Sequence, residues 1–180
     1  MKELSLNVLD IAENSVKARA TLISIVLAEN EETLCMTVTD DGCGMKEEIL
    51  RGVIDPFYTT RTTRRVGLGI PLLKLAAEQT GGYVTITSRH ESEYPDSHGT
   101  CVTALFFKKH IDFTPMGDII STVTTLIQGS PSIDFEFRHE MLDRTVSLDT
   151  REMRKILGAE IPLNDPEIMR WIAQYLQEQY

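Results

Sequence analysis

This chain of 180 residues has few cysteines, few basic residues and no long apolar run, and each shortage removes a class of protein. The three cysteines, Cys35, Cys43 and Cys101, are odd in number and widely spaced, with no CxxC pair among them. Neither a zinc cage nor a disulfide framework fits that pattern, and a reducing cytoplasm is the expected setting. No apolar stretch is long enough to cross a bilayer, so no membrane span is expected. Glu3, Asp10 and Glu13 interrupt the N-terminal segment where a secretory leader needs an unbroken apolar core, so export is not expected either. Only 18 Lys and Arg stand against 27 Asp and Glu, a net charge of −9. A nucleic-acid backbone needs a basic face, so nucleic acid is not the expected partner. Internal repeats and low-complexity tracts are absent as well. The remaining balance, 42% hydrophobic and 25% charged, is that of an ordinary globular protein.

Periodicity orders the chain. Residues 3–19 predict a helix with Leu6, Leu9 and Val16, joined by Ile11 and Ala12, as its buried stripe. Two β-rich runs, 21–28 and 33–40, flank the acidic turn 28–32 and predict a hairpin. A short helix is expected over 46–52, its acids in the first turn as the helix dipole favours. Residues 55–66 are polar, rich in Thr and Arg and without periodicity, which predicts a mobile loop. A helix over about 68–80 follows, with Pro71 in its first turn and Gly81-Gly82 at its end. Strands are expected over 83–89 and 100–107. That order predicts helices on one face of a mixed sheet, an α+β sandwich. A boundary near 108–115 divides the chain into 1–110 and 111–180. The second part predicts a helix (about 116–128), strands at 133–138 and 145–148, and helices near 149–158 and 165–178. Asp149 and Asp165 are the expected N-caps, and Gly158 the expected C-cap. Acidity concentrates there: 12 acids against 6 bases, where residues 1–110 hold 15 against 12.

Three separated segments carry chemistry. In LDIAENSVKA (residues 9–18), Asp10, Asn14 and Lys17 share one helix face. The Asn14 carbonyl suits Mg²⁺, a hard ion that keeps waters and substrate phosphates as its other ligands. Asp10 is placed to orient or deprotonate a water or hydroxyl, and Lys17 to neutralise phosphate. Alone, the three also fit a solvated polar face. In TDDGCGM (residues 39–45), Asp40 ends a strand, where its carboxylate could accept from an exocyclic amine, as adenine would offer. Gly42 and Gly44 then allow close approach. That fragment also fits an ordinary Asp-Asp-Gly turn. In the third segment, Gly67-Leu68-Gly69 opens a helix whose N–H groups could meet phosphates, and Arg61, Arg64 and Arg65 are candidate clamps or simply a solvated basic loop. A dinucleotide fingerprint fits poorly, lacking a preceding strand and a third glycine, and the Walker lysine pattern is missing.

Together these segments resemble the Bergerat-fold (GHKL) ATP-binding superfamily over about residues 4–107. Its members include gyrase-type topoisomerases, heat-shock chaperones, sensor histidine kinases and mismatch-repair ATPases. The resemblance implies that Asn14 holds Mg²⁺, that Asp40 binds the adenine amine, and that Gly42, Gly44, Gly67 and Gly69 shape pocket and lid. It also implies that Thr100 supports adenine through water and that Phe57 anchors the lid. The segment DPFYTTR is similar to histidine kinases, whereas LDIAENSVKARAT is more similar to mismatch-repair ATPases. Two positions depart from the pattern. Asp10 replaces the longer Glu that usually acts as general base, and Arg65 replaces the first glycine of the lid turn. In histidine kinases a phospho-accepting histidine precedes this domain, whereas here the motifs begin within a few residues of Met1. His139-Glu140 is only faintly similar to that motif and is read as an ordinary surface histidine.

The expectation is therefore a Bergerat α/β sandwich with a C-terminal αββαα extension, acting as a stand-alone cytoplasmic ATP·Mg protein. Phosphoryl transfer to a partner protein leads, in the manner of a detached histidine kinase or anti-sigma-type kinase. The alternative is an ATP-gated switch with slow hydrolysis that dimerises on lid closure. A DNA-directed ATPase is disfavoured by the acidic charge.

Overall fold

The computed structural model describes residues 3–54 and 67–180. The expected lid, with Phe57, Arg61, Arg64 and Arg65, lies outside the described residues. The elements run α1 (Leu4–Lys17), β1 (Leu22–Glu29), β2 (Thr33–Asp40), α2 (Glu47–Ile54), α3 (Gly69–Gln79), β3 (Tyr83–Arg89) and β4 (Gly99–Phe107). They continue with α4 (Ile119–Gly129), β5 (Asp134–Glu140), β6 (Thr145–Asp149), α5 (Thr150–Leu157) and α6 (Pro166–Gln179). Among the described residues the strands form one mixed sheet in the order β3-β4-β2-β1-β5-β6, with β1 and β5 parallel and the other neighbours antiparallel. Burial alternates along β1, β2 and β6, so one sheet face meets the helices. The β1–β2 turn is fixed by Asn30, whose side-chain oxygen accepts from the N–H groups of Glu32 and Thr33, both at 2.8 Å.

The stripe expected on α1 is rotated in the structure. Leu6 is exposed, while Leu4, Ser5, Asn7, Val8, Ile11, Ala12 and Ser15 are buried. Tertiary packing sets the difference. α1 meets α3 along one flank and α4 along another, so its buried arc is wider than the apolar residues alone mark. Asp149 and Asp165 cap α5 and α6, accepting from the N–H groups of Arg151 and Glu167 at 2.8 Å each.

Residues 111–180 extend the same sheet. β5 pairs with β1 from Leu22↔Asp134 to Ala28↔Glu140. Phe135, Phe137, Val123 and Ile127 join the core that Ile23, Ile25 and Leu27 begin. A polar tie adds to this. His139, expected at the surface, is only 4% exposed. Its Nε2 lies 3.0 Å from Glu29 and its Nδ1 2.8 Å from the Tyr180 hydroxyl. With Glu29 ionised, Nε2–H donates to the carboxylate and Nδ1 accepts from Tyr180. Lys108 completes the group with a 2.5 Å contact to Glu29.

Burial, with Lys108 nearby, holds the His139 imidazole below its ordinary value despite the raising effect of Glu29. Burial pushes Glu29 up, but Lys108 and His139 outweigh it and hold the carboxyl below its usual range. Both depressed groups give stability that is full at high pH. The His139 part is lost as pH falls below 6.5, and the Glu29 part as it falls below 4.5. Urea midpoints should therefore fall between pH 7.5 and pH 5.5 in the native chain and change less in His139→Gln. Equal slopes in the two proteins would contradict this assignment.

Candidate nucleotide site

The site is built where α1, the end of β2 and the start of α3 converge. A cleft of about 200 Å³ opens there, walled by Asn14 and Ser15 of α1, Asp40 of β2, Thr100 of β4 and Gly67. Ile11, Met45, Ile49, Val53, Ile70 and Val102 make the rest of the wall apolar. An apolar slot edged by a few fixed polar groups suits a flat heteroaromatic base.

Asp40 is fixed by two donors. Ser15 Oγ donates to one carboxylate oxygen at 2.6 Å and the Gly42 N–H to the other at 2.8 Å. A carboxylate offers about four lone-pair positions, so acceptor capacity remains for an amine in the cleft. Thr100 is the cross-strand partner of Asp40. Its hydroxyl lies 2.8 Å from that of Ser88, which in turn accepts from the Met45 N–H at 2.8 Å. The loop after β2 is thereby tied to β3 and β4.

Asp41 has a different role from its neighbour. It accepts from the N–H groups of Thr21 and Leu22 at 2.7 and 2.9 Å, and from the Thr21 hydroxyl, so it fastens the start of β1. Burial raises its carboxyl, but these bonds prevail and hold it below the usual range. The Asp-Asp-Gly fragment thus contains one acid at the cleft and one that is structural.

Gly44 has φ +69°, and a Cβ there would lie 1.9 Å from the carbonyl oxygen of Arg89. No side chain fits. Gly44→Ala should cost about 2 kcal/mol or more in stability. That corresponds to a melting temperature lower by roughly 4–8 °C for a chain of this size. An unchanged melting curve by circular dichroism would contradict the geometry. Gly69 allows a second close approach, since a Cβ on it would sit 3.1 Å from Asp10 Cβ. The start of α3 therefore lies directly against α1.

Of the residues expected from sequence, Asn14, Asp40, Gly44, Gly67 and Thr100 line the cleft. Gly42 is buried behind Asp40, and Asp10 and Gly69 meet beside the cleft. Lys17 is exposed at the end of α1, and Leu68 is 73% exposed; neither is part of the cleft wall. Phe57, Arg61 and Arg65 fall outside the described residues. Ser15 and Ser88 were not anticipated, because a serine inside a helix or strand carries no motif. Among the described residues, no three His, Cys, Asp or Glu side chains gather as a metal cage. His139, with both ring nitrogens engaged and its side chain buried, is not presented as a phosphate acceptor.

Among the described residues no helix is long and apolar enough to cross a membrane. The chain is 29% identical over 102 residues to the heme sensor protein HssS of Staphylococcus saprophyticus, covering 55% of this chain and 21% of that protein. It is 28% identical over 109 residues to sporulation kinase A of Bacillus subtilis, covering 61% and 17%. It thus spans about a fifth of the length of these curated relatives. The fold matches the Aquifex aeolicus MutL ATPase domain, solved with ADP, at a TM-score of 0.59 and 15% identity, covering 87% of this chain and 69% of that one. The N-terminal domain of a DNA repair protein matches with a TM-score of 0.57 at 17% identity, covering 88% and 58%. Residues 2–111 match the family model described as histidine kinase-, DNA gyrase B-, and HSP90-like ATPase. The expected Bergerat sandwich is the observed fold, and the chain belongs to that ATPase family.

Proposed function

We propose that this chain binds Mg·ATP in the α1–β2–α3 cleft and passes the γ-phosphoryl group to a partner protein. The observation that carries the reading is Asp40, held by Ser15 and Gly42 at the wall of an apolar slot with acceptor capacity to spare. An adenine amine supplies the matching donor. Asn14 stands on the same wall with its amide unbonded among the described residues, so its carbonyl is available to Mg²⁺. The bound ion would neutralise phosphate charge; the chain's part is to hold the nucleotide in line. Asp10 lies beside the first turn of α3, and in this reading it would orient the attacking hydroxyl or water.

The second reading is a switch in which slow hydrolysis gates partner docking or dimerisation. The short Asp10 side chain favours it, because reach to a water is reduced. In either case residues 111–180 would choose the partner. They carry the greater acidity and an exposed stacked pair, Trp171 and Tyr175, with ring centroids 5.0 Å apart. Incubation with γ-labelled ATP and cell lysate separates the two readings. Label on a second protein supports transfer, free phosphate alone supports the switch, and absence of both would refute each.

A further inference from the structure

Asn7 is buried and unbonded at once: it is 1% exposed, and among the described residues neither its Nδ2 nor its Oδ1 has a partner. It lies in α1 among Leu4, Val8 and Ile11, where an apolar side chain of similar size would pack without loss. Nothing in the packing explains an amide there.

Its register offers a reason. Asp10 is three residues on, so the two side chains are neighbours on adjacent turns of α1. Helical side chains lean towards the N-terminus, which carries the Asp10 carboxylate back over the turn that holds Asn7. The start of α3 limits the other directions: a Cβ on Gly69 would lie 3.1 Å from Asp10 Cβ and 3.5 Å from its Oδ2. Asp10 has no hydrogen-bond partner among the described residues. An unused donor and an unused acceptor therefore share one helix flank, one turn apart.

We propose that Asn7 is a positioning residue for Asp10, its Nδ2–H donating to the carboxylate while Mg·ATP is held. The inference rests on the reading of Asp10 as the acid of the nucleotide site. The bond would fix the rotamer of a side chain too short to reach its target by several routes. No atom of Asn7 is part of the cleft wall, so nucleotide affinity should not depend on it.

The test is single-turnover phosphate release from Mg·ATP by the full chain, measured beside its Mg·ATP affinity. Asn7→Leu should melt at or above the native temperature, bind Mg·ATP equally well and turn over about tenfold more slowly. Asn7→Ser, which keeps a donor and fits the same space, should recover part of the rate. A native rate in Asn7→Leu, or a slow rate matched by an equal loss of Mg·ATP affinity, would overturn the proposal. Asp10→Asn is run beside them. If it loses turnover while Asn7→Leu does not, the inference alone fails; if Asp10→Asn is silent, the reading of Asp10 falls and the inference with it.

Discussion

Asn14→Ala should leave the chain folded and weaken ATP binding in Mg²⁺ on the order of 100-fold, to the level seen without the ion. The fold survives because the Asn14 side chain is only half-buried and makes no hydrogen bond among the described residues, so truncation leaves no orphaned partner. Its backbone oxygen still accepts from Ala18 N at 2.9 Å, so the end of α1 keeps its geometry. In the proposed reading the amide carbonyl is a direct ligand of the ion, and loss even of groups behind a ligand costs 10–100-fold, so the affinity should fall. Titration calorimetry with and without Mg²⁺ measures both terms. Native affinity in the variant would remove Asn14 from the site.

Asp40→Asn should abolish the preference for adenine. Three donors converge on the Asp40 carboxylate in this reading: Ser15 Oγ, the Gly42 N–H and the base amine. An amide keeps one oxygen and turns the other acceptor into a donor. The Ser15 hydroxyl can turn to accept from it, but the Gly42 N–H and the base amine must then share the one remaining oxygen, or one of them meets a like group. Each such mismatch costs on the order of 1–3 kcal/mol, or roughly 5- to 150-fold in affinity. Ser15→Ala is the control. It removes one donor and leaves the carboxylate, so adenine preference should persist. Equal ATP-over-GTP selectivity in Asp40→Asn and the native chain would mean that Asp40 does not read the base.

Local signals were legible in this sequence to the extent that they are local in physics. β-rich runs broken by turn residues marked β1 to β4, aspartates marked the caps of α5 and α6, and glycine spacing marked the turn at Gly44. Non-local packing was not legible. The parallel pairing of β5 with β1 joins segments more than 100 residues apart, and nothing in either strand names its partner. That pairing turns the extension into part of one sheet and draws His139 under cover. The same effect rotated the buried face of α1 away from Leu6 and placed Ser15 under Asp40. Sequence could name Asp40 from its place at a strand end before a Gly-x-Gly, but not the hydroxyl that orients it. Asp41 shows the converse. Its motif was visible, while its structural role emerged only from the β1 backbone it caps.

The central claim is that the Asp40–Asn14 cleft is an adenine nucleotide site that works with Mg²⁺. Calorimetric titration of the native chain with ATP and GTP, each in Mg²⁺, tests it most directly. The account predicts one ATP per chain and GTP binding at least tenfold weaker. Equal affinity for the two nucleotides, or no heat of binding for ATP, would contradict it.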